Sequence, residues 1–395
     1  MIRYISPAVP FIGTDDPELD LFESQYIVPE GMSYNSYVIL DEKVAVLDTA
    51  DARQGEAWKA HLAEALNGRQ PDYLVVHHME PDHSALIAWM LETYPGVTLV
   101  ATAAALRMLP QFFEGLAPEG RSLAVKEGDT LSLGSHCLRF FLAPMVHWPE
   151  VMVSYESTEK LLFSADAFGR FGAMAHTGFF VSEDDDWACE ARRYYFNICG
   201  KYGVQVQALL KKIAGLEVAM ICPLHGPILN ENLGYHTGLY QTWSSYGVET
   251  EGVFVAYASI HGGTAAAAEK LAGLLREKGC PKVSVADLTR SDLAECVEDA
   301  FRYGKMVLAA SSYDGGVFTP MHDFLYRLQA KGYQRRTVGL VENGSWAPSA
   351  GRVMKEMLGA MKEITLVEPV VTIRSRMHSD DLPRLEALAD AILGA

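Results

Sequence analysis

The chain has few cysteines for its length, and none of them stands in a pattern that would give it a clear role. Only six occur in 395 residues, at positions 137, 189, 199, 222, 280 and 296, and no C-x-x-C is present. This scatter predicts reduced thiols and excludes a rubredoxin-like or zinc-ribbon module within the sequence. We therefore expect a protein of the cytoplasm.

Basic residues are in deficit, and long apolar runs are lacking. The formal net charge of -17 argues against binding to nucleic acid or to an anionic membrane, because both depend on clustered positive charge. No stretch reaches the roughly 18 apolar residues that span a bilayer, and the N-terminus lacks the basic and apolar regions of a signal peptide. We expect neither nucleic acid nor membrane as a partner.

The sequence also lacks repeats and low-complexity tracts, and its composition is that of a folded globular chain. Hydrophobic residues make up 49% and charged residues 21%. The length exceeds the roughly 250–300 residues at which one hydrophobic core stops growing. A polar, glycine-containing stretch, Ser244–Gly252, marks the change in character between two domains. We place them at residues 1–249 and 250–395.

The first domain begins rich in strands. Ser36–Leu40 and Val44–Leu47 flank a short polar turn and predict an antiparallel hairpin. Leu138–Leu142 predicts a later strand, and Ser84–Thr93 predicts a helix with Ser84 as its N-cap. Mixed sheets with outer helices are expected.

The second domain alternates strands and helices regularly. Helices are predicted over Thr264–Lys278 and Met321–Lys331. This alternation predicts an α/β fold with a doubly wound parallel sheet. The predicted strands are Val253–Ala258, Lys282–Ala286, Met306–Ala310, Thr337–Val341 and Ile364–Val367.

Four potential metal ligands follow one apolar strand. His78, Glu80, Asp82 and His83 lie within six residues, directly after Tyr73–Val76. Imidazole and carboxylate without thiolate form a harder set than structural zinc sites use, and they suit iron or manganese as well as zinc. The preceding His77 points to the opposite face of an extended segment, so we expect it to pack or to support the site.

Three further segments each place a ligand-type residue just beyond an apolar run, at His147, Asp166 and His225. Each histidine alone is more often an interior residue than a ligand. Together the segments supply four histidines and three acids, which is more than one four-coordinate ion uses. The set predicts two metal ions that share a carboxylate.

The arrangement resembles the metallo-β-lactamase fold, whose hydrolases usually carry H-x-H-x-D-H. Glu80 stands here at the second histidine, which makes the site harder and favours iron. With the segments Leu142–Pro149 and Ser164–Gly169, the chain resembles over nearly its whole length the flavodiiron proteins, also called A-type flavoproteins. The resemblance implies an N-terminal metallo-β-lactamase-like αββα domain followed by a flavodoxin-like domain.

The resemblance also implies a role for each ligand. His78, Glu80 and His147 would bind one iron, Asp82, His83 and His225 the other, and Asp166 would bridge them. A tyrosine near the bound gas is implied as well. Tyr194 and the adjacent Tyr195 are both candidates, of which we take Tyr194 as the catalytic one, and His176 is a further neighbour.

Three loops of the second domain follow its first, third and fourth predicted strands. A glycine-rich loop alone also arises for backbone reasons, but all three would meet beyond the carboxyl ends of the sheet. The set resembles a flavodoxin domain, which implies FMN. His261 and Gly263 stand where many family members have Tyr and Asn, which implies less side-chain contact to the phosphate. The implied FMN-binding residues are Ser259, His261, Gly262, Gly263, Thr264, Ser311, Ser312, Tyr313, Asp314, Gly315, Asn343, Gly344, Ser345 and Trp346.

The function that the resemblance implies is reduction of O2 to water or of NO to N2O at two non-haem irons. FMN would pass on electrons from an external donor, either a rubredoxin or a reduced deazaflavin coenzyme, within a head-to-tail homodimer or homotetramer. One alternative is a metal-dependent hydrolase of the metallo-β-lactamase superfamily fused to a flavodoxin-like domain. Another is a non-catalytic, flavodoxin-like electron carrier whose partner domain is degenerate.

Overall fold

The structure, a computed structural model, describes residues 2–118, 120–182 and 186–395. The chain forms two compact units, the first from residues 1–195 and 204–241 and the second from residues 196–203 and 242–395. Phe196 lies with the second unit because its ring stacks on Phe301 at 4.3 Å. The division at 249/250 stays a prediction. Among the described residues, no helix has the length and apolar character needed to cross a bilayer.

Short strands and peripheral helices alternate up to residue 249. The strands are β1 (Arg3–Ser6), β2 (Val9–Phe11), β3 (Thr14–Asp16), β4 (Leu21–Phe22), β5 (Tyr26–Ile27), β6 (Met32–Tyr34), β7 (Tyr37–Leu40), β8 (Val44–Leu47), β9 (Tyr73–Val75), β10 (Thr98–Thr102), β11 (Ser122–Val125), β12 (Thr130–Ser132), β13 (Cys137–Leu142), β14 (Met152–Glu156), β15 (Leu161–Phe163) and β16 (Met220–Cys222). The helices are α1 (Gly55–Leu66), α2 (Pro81–Ser84), α3 (Ile87–Thr93), α4 (Ala103–Phe112), α5 (Met174–Thr177), α6 (Trp187–Ile198), α7 (Gly203–Ile213) and α8 (Leu233–Ser244).

Two main sheets share the core of the first unit. One has the order β1-β2-β7-β8-β9-β10-β11 and the other β12-β13-β14-β15-β16. Buried side chains of both sheets, including Val75, Val100, Phe140 and Phe163, form one hydrophobic cluster. This two-layer arrangement is the metallo-β-lactamase-like αββα fold that the resemblance implies.

The local predictions for this unit are confirmed except at one helix start. β7 and β8 pair antiparallel as the predicted hairpin, and β13 is the predicted strand. The helix predicted from Ser84 is wrong, because α2 ends at Ser84 and α3 begins only at Ile87. Ser84 does not cap a helix, since its hydroxyl donates to the Met79 carbonyl at 2.7 Å. Pro81 starts α2 instead, where its missing N–H costs nothing.

The pairing of the second sheet brings its ligand-bearing loops together. β13 and β15 both run antiparallel to β14, and β15 runs parallel to β16. The carboxyl ends of β13, β15 and β16 therefore meet at one edge. His147, Asp166 and His225 all lie in the loops that follow these ends.

The second unit is a doubly wound parallel sheet, as predicted. Its strands are β17 (Thr250–Ala258), β18 (Val283–Asp287), β19 (Tyr303–Tyr313), β20 (Gly316–Val317), β21 (Gln334–Asn343), β22 (Lys362–Leu366) and β23 (Val371–Ile373). Its helices are α9 (Gly263–Glu277), α10 (Leu293–Arg302), α11 (Thr319–Ala330), α12 (Ala350–Gly359) and α13 (Leu382–Gly394). Helices α9 and α13 pack on one face of the sheet, around Val255, Val307 and Val341.

The strand order β18-β17-β19-β21-β22 is the flavodoxin-like order, in which the first strand lies between the second and the third. The chain leaves β17 toward one side of the sheet and β19 toward the other. Such a reversal opens a crevice beyond the carboxyl ends of the two strands, and ligands of open α/β sheets bind there. The three loops predicted to bind FMN border this crevice.

Candidate functional site

One group of predicted ligands consists of His78, Glu80, His147 and Asp166. The Glu80 Oε2 atom lies 3.0 Å from Nε2 of His147 and 3.1 Å from Nε2 of His78. Asp166 Oδ2 lies 3.0 Å and 3.3 Å from the same two nitrogens. Ligand atoms at about 2.1 Å from one ion are about 3 Å from each other, so these four atoms have the spacing of a coordination shell.

The second group consists of Asp82, His83 and His225. The Nε2 atoms of the two histidines lie 3.0 Å apart, and each lies 3.4 Å from Asp82 Oδ2. Asp166 reaches this group with its other oxygen, because Oδ1 lies 3.4 Å from His83 and 3.7 Å from His225. One carboxylate thus presents a separate oxygen to each group, which is the geometry of a bridging ligand.

The unsatisfied oxygens of these acids fit metal ligands and not an ordinary polar core. Both side-chain oxygens of Asp82 and of Asp166 are buried without a well-formed hydrogen bond to any described residue. Asp41, in the same unit, shows the ordinary case. It accepts hydrogen bonds from the His136 N–H and ring and from the Ser135 hydroxyl. Buried carboxylates without such partners are costly unless an ion balances them, so the donor set fits two metal ions.

The charges of the first group support the same conclusion. Burial lowers the pKa of His147, but the adjacent carboxylates of Asp166 and Glu80 outweigh burial and raise it to about 9. Burial raises the pKa of Glu80, and the neighbouring His147 and His78 lower it to about 2. Without a cation, the acids draw protons onto the imidazoles. A divalent ion would replace those protons, because it binds neutral imidazole and ionised carboxylate.

Outer hydrogen bonds fix the orientation of two ligands. His78 Nδ1 is 2.8 Å from Glu150 Oε1, which also accepts the Met79 N–H at 2.9 Å. His225 Nδ1 donates to the Ser33 carbonyl at 2.7 Å. Partners of this kind set the tautomer of a metal-bound histidine and leave Nε2 for the metal. Neither partner was predicted from the sequence, although Glu150 lies only three residues after His147.

His77 supports the site without joining it, as predicted. Its two ring nitrogens lie 2.6 Å from Asp48 Oδ2 and 2.7 Å from the Ser154 hydroxyl. The ring is buried and stacks near Phe163. Because both nitrogens have partners away from the two ligand groups, His77 anchors the loop that carries His78.

Backbone strain accompanies the ligands. Ala165 (φ 50°) directly precedes Asp166, and Met145 (φ 65°) lies two residues before His147. Residues other than glycine rarely adopt a positive φ, and such strain persists where surrounding contacts enforce it, often at functional sites.

Aromatic rings enclose the second group. Phe22, Tyr34 and Tyr194 pack against His225, with ring centroids 5.4, 5.9 and 5.6 Å away. The helical phase of α6 turns Tyr195 away, onto Tyr240 at 5.1 Å. Of the two adjacent tyrosines of α6, Tyr194 is therefore the one beside the candidate ligands. His176 is exposed on α5 and belongs to neither ligand group in the described residues.

The second unit contains a cavity of about 540 Å³ in its crevice. Of the predicted FMN-binding residues, all line the cavity except Ser259 and Gly262. These two shape the loop, since the Gly262 N–H donates to the Ser259 hydroxyl at 3.1 Å. Five further residues line the cavity and were not predicted from the sequence: Ile260, Ala347, Ser349, Ser375 and Arg376.

The shape and chemistry of this cavity fit a flavin mononucleotide. The N-terminus of α9 and the linked hydroxyls of Thr264 and Ser311, 2.8 Å apart, offer donors for a phosphate. Tyr313 and Trp346 are 49% and 90% exposed, which leaves two flat aromatic surfaces at the cavity for a ring system. The cavity walls thus combine polar donors with flat aromatic surfaces.

The chain is similar to known proteins over most of its length. The family model for the ODP family beta lactamase matches residues 32–226. A putative diflavin flavoprotein A 2 of Synechocystis is 30% identical over 333 residues, covering 83% of this chain and 56% of the relative. Rubredoxin oxygen:oxidoreductase from Desulfovibrio gigas has the same fold, with a TM-score of 0.92, 24% identity and coverage of 99% of this chain and 98% of that one. The chain is thus similar to diflavin flavoproteins over most of its length and has the fold of the flavodiiron proteins.

Other similar proteins differ in length. An anaerobic nitric oxide reductase flavorubredoxin of Vibrio vulnificus is 29% identical, covering 81% of this chain and 65% of the relative. The flavodiiron protein from Giardia intestinalis has a TM-score of 0.89 at 23% identity, covering 99% of this chain and 96% of that one. The chain spans about half the length of the cyanobacterial curated relatives that it matches. The fold therefore corresponds to a flavodiiron core.

Proposed function

We propose that this chain reduces O2 to water, NO to N2O, or both, at a di-iron centre that receives electrons through FMN. The observation that carries the proposal is the position of Asp166 between two ligand groups, one of which contains Glu80. An anionic oxygen at position 80 makes that group harder than the all-histidine set of a zinc hydrolase, and harder sets suit iron.

The residues of the chain have separable tasks in this reaction. His78, Glu80 and His147 would hold one iron, Asp82, His83 and His225 the other, with Asp166 bridging, as the seven metal ligands. Bound iron would supply the redox chemistry for reducing a diatomic gas, and bound FMN would supply the electrons. The aromatic rings around His225 would keep water from its side of the pocket. Glu80, whose side chain is 16% exposed, is more accessible to solvent than Asp82 or His147.

Anaerobic purification with metal and flavin analysis tests the proposal, followed by O2 and NO consumption under one electron donor. We expect about two irons and one FMN per chain, and the ratio of the two rates gives the preferred gas. Substitution of His147 by Asn should abolish consumption of both gases. His136→Gln, a change at a histidine whose carboxylate partner is Asp41, is the matched control. A colourless zinc protein that hydrolyses thioesters or β-lactams would overturn the proposal in favour of the hydrolase.

We propose that the electrons come from a separate carrier, a rubredoxin or a reduced deazaflavin coenzyme. The lack of any C-x-x-C in the sequence supports this, because such a pair would be needed for a rubredoxin centre within these residues. Stopped-flow reduction of bound FMN by each donor should show fast transfer from only one of them. Equal and slow reduction by both would contradict the proposal.

The cytoplasm is the compartment that we propose. All six cysteines are thiols, which suits a reducing environment. Detection of the protein outside the cytoplasmic fraction of its source cells would contradict this assignment.

We further propose a head-to-tail homodimer or homotetramer, in which FMN of one subunit serves the metals of another. The large exposed surface of Trp346 at the flavin cavity supports this, because aromatic side chains are enriched at subunit interfaces. Co-expression of an Asp166→Asn chain with a flavin-deficient chain, each with its own affinity tag, tests the idea. The doubly purified mixed oligomer should regain part of the activity that each variant lacks alone. An active monomer in light scattering would contradict it.

A further inference from the structure

A strained turn borders the flavin cavity at Ser375. The residue has φ of 64°, and the Arg376 N–H donates to the Arg374 carbonyl at 2.8 Å across it. This hydrogen bond between residues i and i+2 defines a γ-turn, and the form with positive φ is rare and strained. Glycine adopts such an angle without steric cost because it has no Cβ atom, whereas serine does not.

Residues of the neighbouring loop hold the turn in this conformation. The Asn343 side chain accepts the Ser375 N–H at 2.9 Å and donates to the Ser375 carbonyl at 3.0 Å. The hydroxyls of Ser345 and Ser375 are 2.6 Å apart. Strained backbone persists where the surroundings enforce it, and such positions cluster at ligand clamps. Asn343 and Ser345 line the same cavity, so the residues that hold the turn are part of the cavity wall.

The turn packs directly against the first residue of α9. A Cβ atom on Gly263 would lie only 2.1 Å from the Ser375 carbonyl oxygen, which is an overlap with backbone. No side chain fits at position 263 while the turn stays in place. The turn therefore occupies the space that a side chain at position 263 would need for contact with a bound group at the helix N-terminus.

The next residue, Arg376, lines the cavity together with Gly263 and Thr264. Among the residues described along this cavity wall, it is the one with a permanent positive charge. A guanidinium beside a helix N-terminus suits a phosphate, because the planar fork donates two parallel hydrogen bonds.

We propose that Arg376, presented by the turn at Ser375, is a phosphate-binding residue of the flavin cavity and gives it preference for a phosphorylated flavin. The inference rests on the proposed function, in which the cavity holds FMN. The turn excludes a side chain at position 263 and supplies a cationic one from position 376 in its place.

Titration of the flavin-free protein with FMN and with riboflavin tests this inference. The quenching of flavin fluorescence measures the binding. The wild type should bind FMN more tightly. Arg376→Ala should weaken FMN binding about tenfold, equivalent to about 1.4 kcal/mol, and leave riboflavin binding unchanged. Arg376→Lys should recover part of the loss, because it keeps the charge without the fork. Arg352→Ala, which removes an exposed arginine of α12, should change neither affinity.

Two results would overturn the inference. Unchanged FMN affinity in Arg376→Ala would show that the residue makes no contact, and an equal loss for both flavins would place its contact away from the phosphate. An unaltered circular dichroism spectrum establishes that the variant is folded. A wild-type protein that binds neither flavin would instead overturn the proposed function, so the two failures are distinguishable.

Discussion

The metal centre and the flavin cavity are built in different ways. The proposed metal centre consists of side chains whose chemistry is specific, and most of the candidate ligands, such as His78 and Asp166, are fully buried. The flavin cavity is open and is formed largely by backbone and small residues, such as Gly263 and Ser375. The first site depends on which residues are present, whereas the second depends on how the backbone is held.

This difference predicts how each site responds to substitution. Loss of a metal ligand removes an interaction that no neighbour replaces, because the ligand groups contain few spare donors. A substitution in the flavin cavity acts by shifting a loop. Its effect should be smaller, because several loops form the cavity together. The two sites lie in separate compact units, so each substitution should affect one cofactor and leave the other bound.

The largest expected effect is that of Asp166→Ala. Because its two oxygens lie in different ligand groups, the substitution should weaken binding of both metals. We expect more than the roughly 10- to 100-fold loss typical of outer-shell changes. Metal analysis after dialysis measures the loss, and FMN content should stay at the wild-type level. Retention of one tightly held metal would contradict the bridging role.

Glu150→Ala should have the next largest effect. The substitution leaves the His78 ring and the Met79 N–H without their buried acceptor. Metal affinity should fall about 10- to 100-fold, as for other partners of metal-bound histidines. Competition with a chelator measures the affinity, and Glu127→Gln at an exposed carboxylate is the control. An unchanged affinity would show that the backbone alone orients His78.

Gly263→Ala tests the flavin cavity in the same way. The added Cβ overlaps the Ser375 carbonyl, and strain of this kind costs about 1–3 kcal/mol. Flavin affinity should fall about 5- to 150-fold while the metal content stays constant. Gly273→Ala in the same helix is the matched control, because its Cβ would meet no atom within 4 Å. Equal flavin affinity in both variants would mean that the turn at Ser375 moves to accommodate the added Cβ without weakening flavin binding.

The same difference explains what could be predicted from the sequence. His147, Asp166 and His225 were recognisable because each follows an apolar strand and has a side chain suited to metals. Ser375 and Arg376 were not, because their role depends on backbone contact with a residue far away in the sequence. The choice between Tyr194 and Tyr195 likewise required the phase of α6 against His225, which sequence spacing does not supply.

Ser84 and Glu150 show two other limits of the sequence. The residue type of Ser84 suits an N-cap, but a local hydrogen bond to Met79 competes with that role. Glu150 lies close to His147 in the sequence. Its partner, however, is His78, which follows the end of a different strand. Local patterns therefore predicted the strands and selected candidate ligands that the fold brings together, but they could not predict pairings that depend on the packing of the two sheets.

The smallest expected effect concerns a histidine–carboxylate pair that needs no metal. Burial lowers the pKa of His136, but its hydrogen bond to Asp41 and that to Glu159 outweigh burial and raise the pKa above its ordinary value of 6.5. The charged pair therefore stabilises the fold fully below pH 6.5, and this contribution is lost as the pH rises through the folded-state pKa.

His136→Gln should accordingly lower the free energy of unfolding by about 1 kcal/mol at pH 5.5 and by less at pH 9. Urea unfolding of both proteins at the two pH values measures the difference, with metal content as the control. An equal loss at both values would mean that a neutral hydrogen bond, and not a charged pair, stabilises this turn. The expected result would separate His136 from His147, whose acidic neighbours Glu80 and Asp166 we assign to a metal ion.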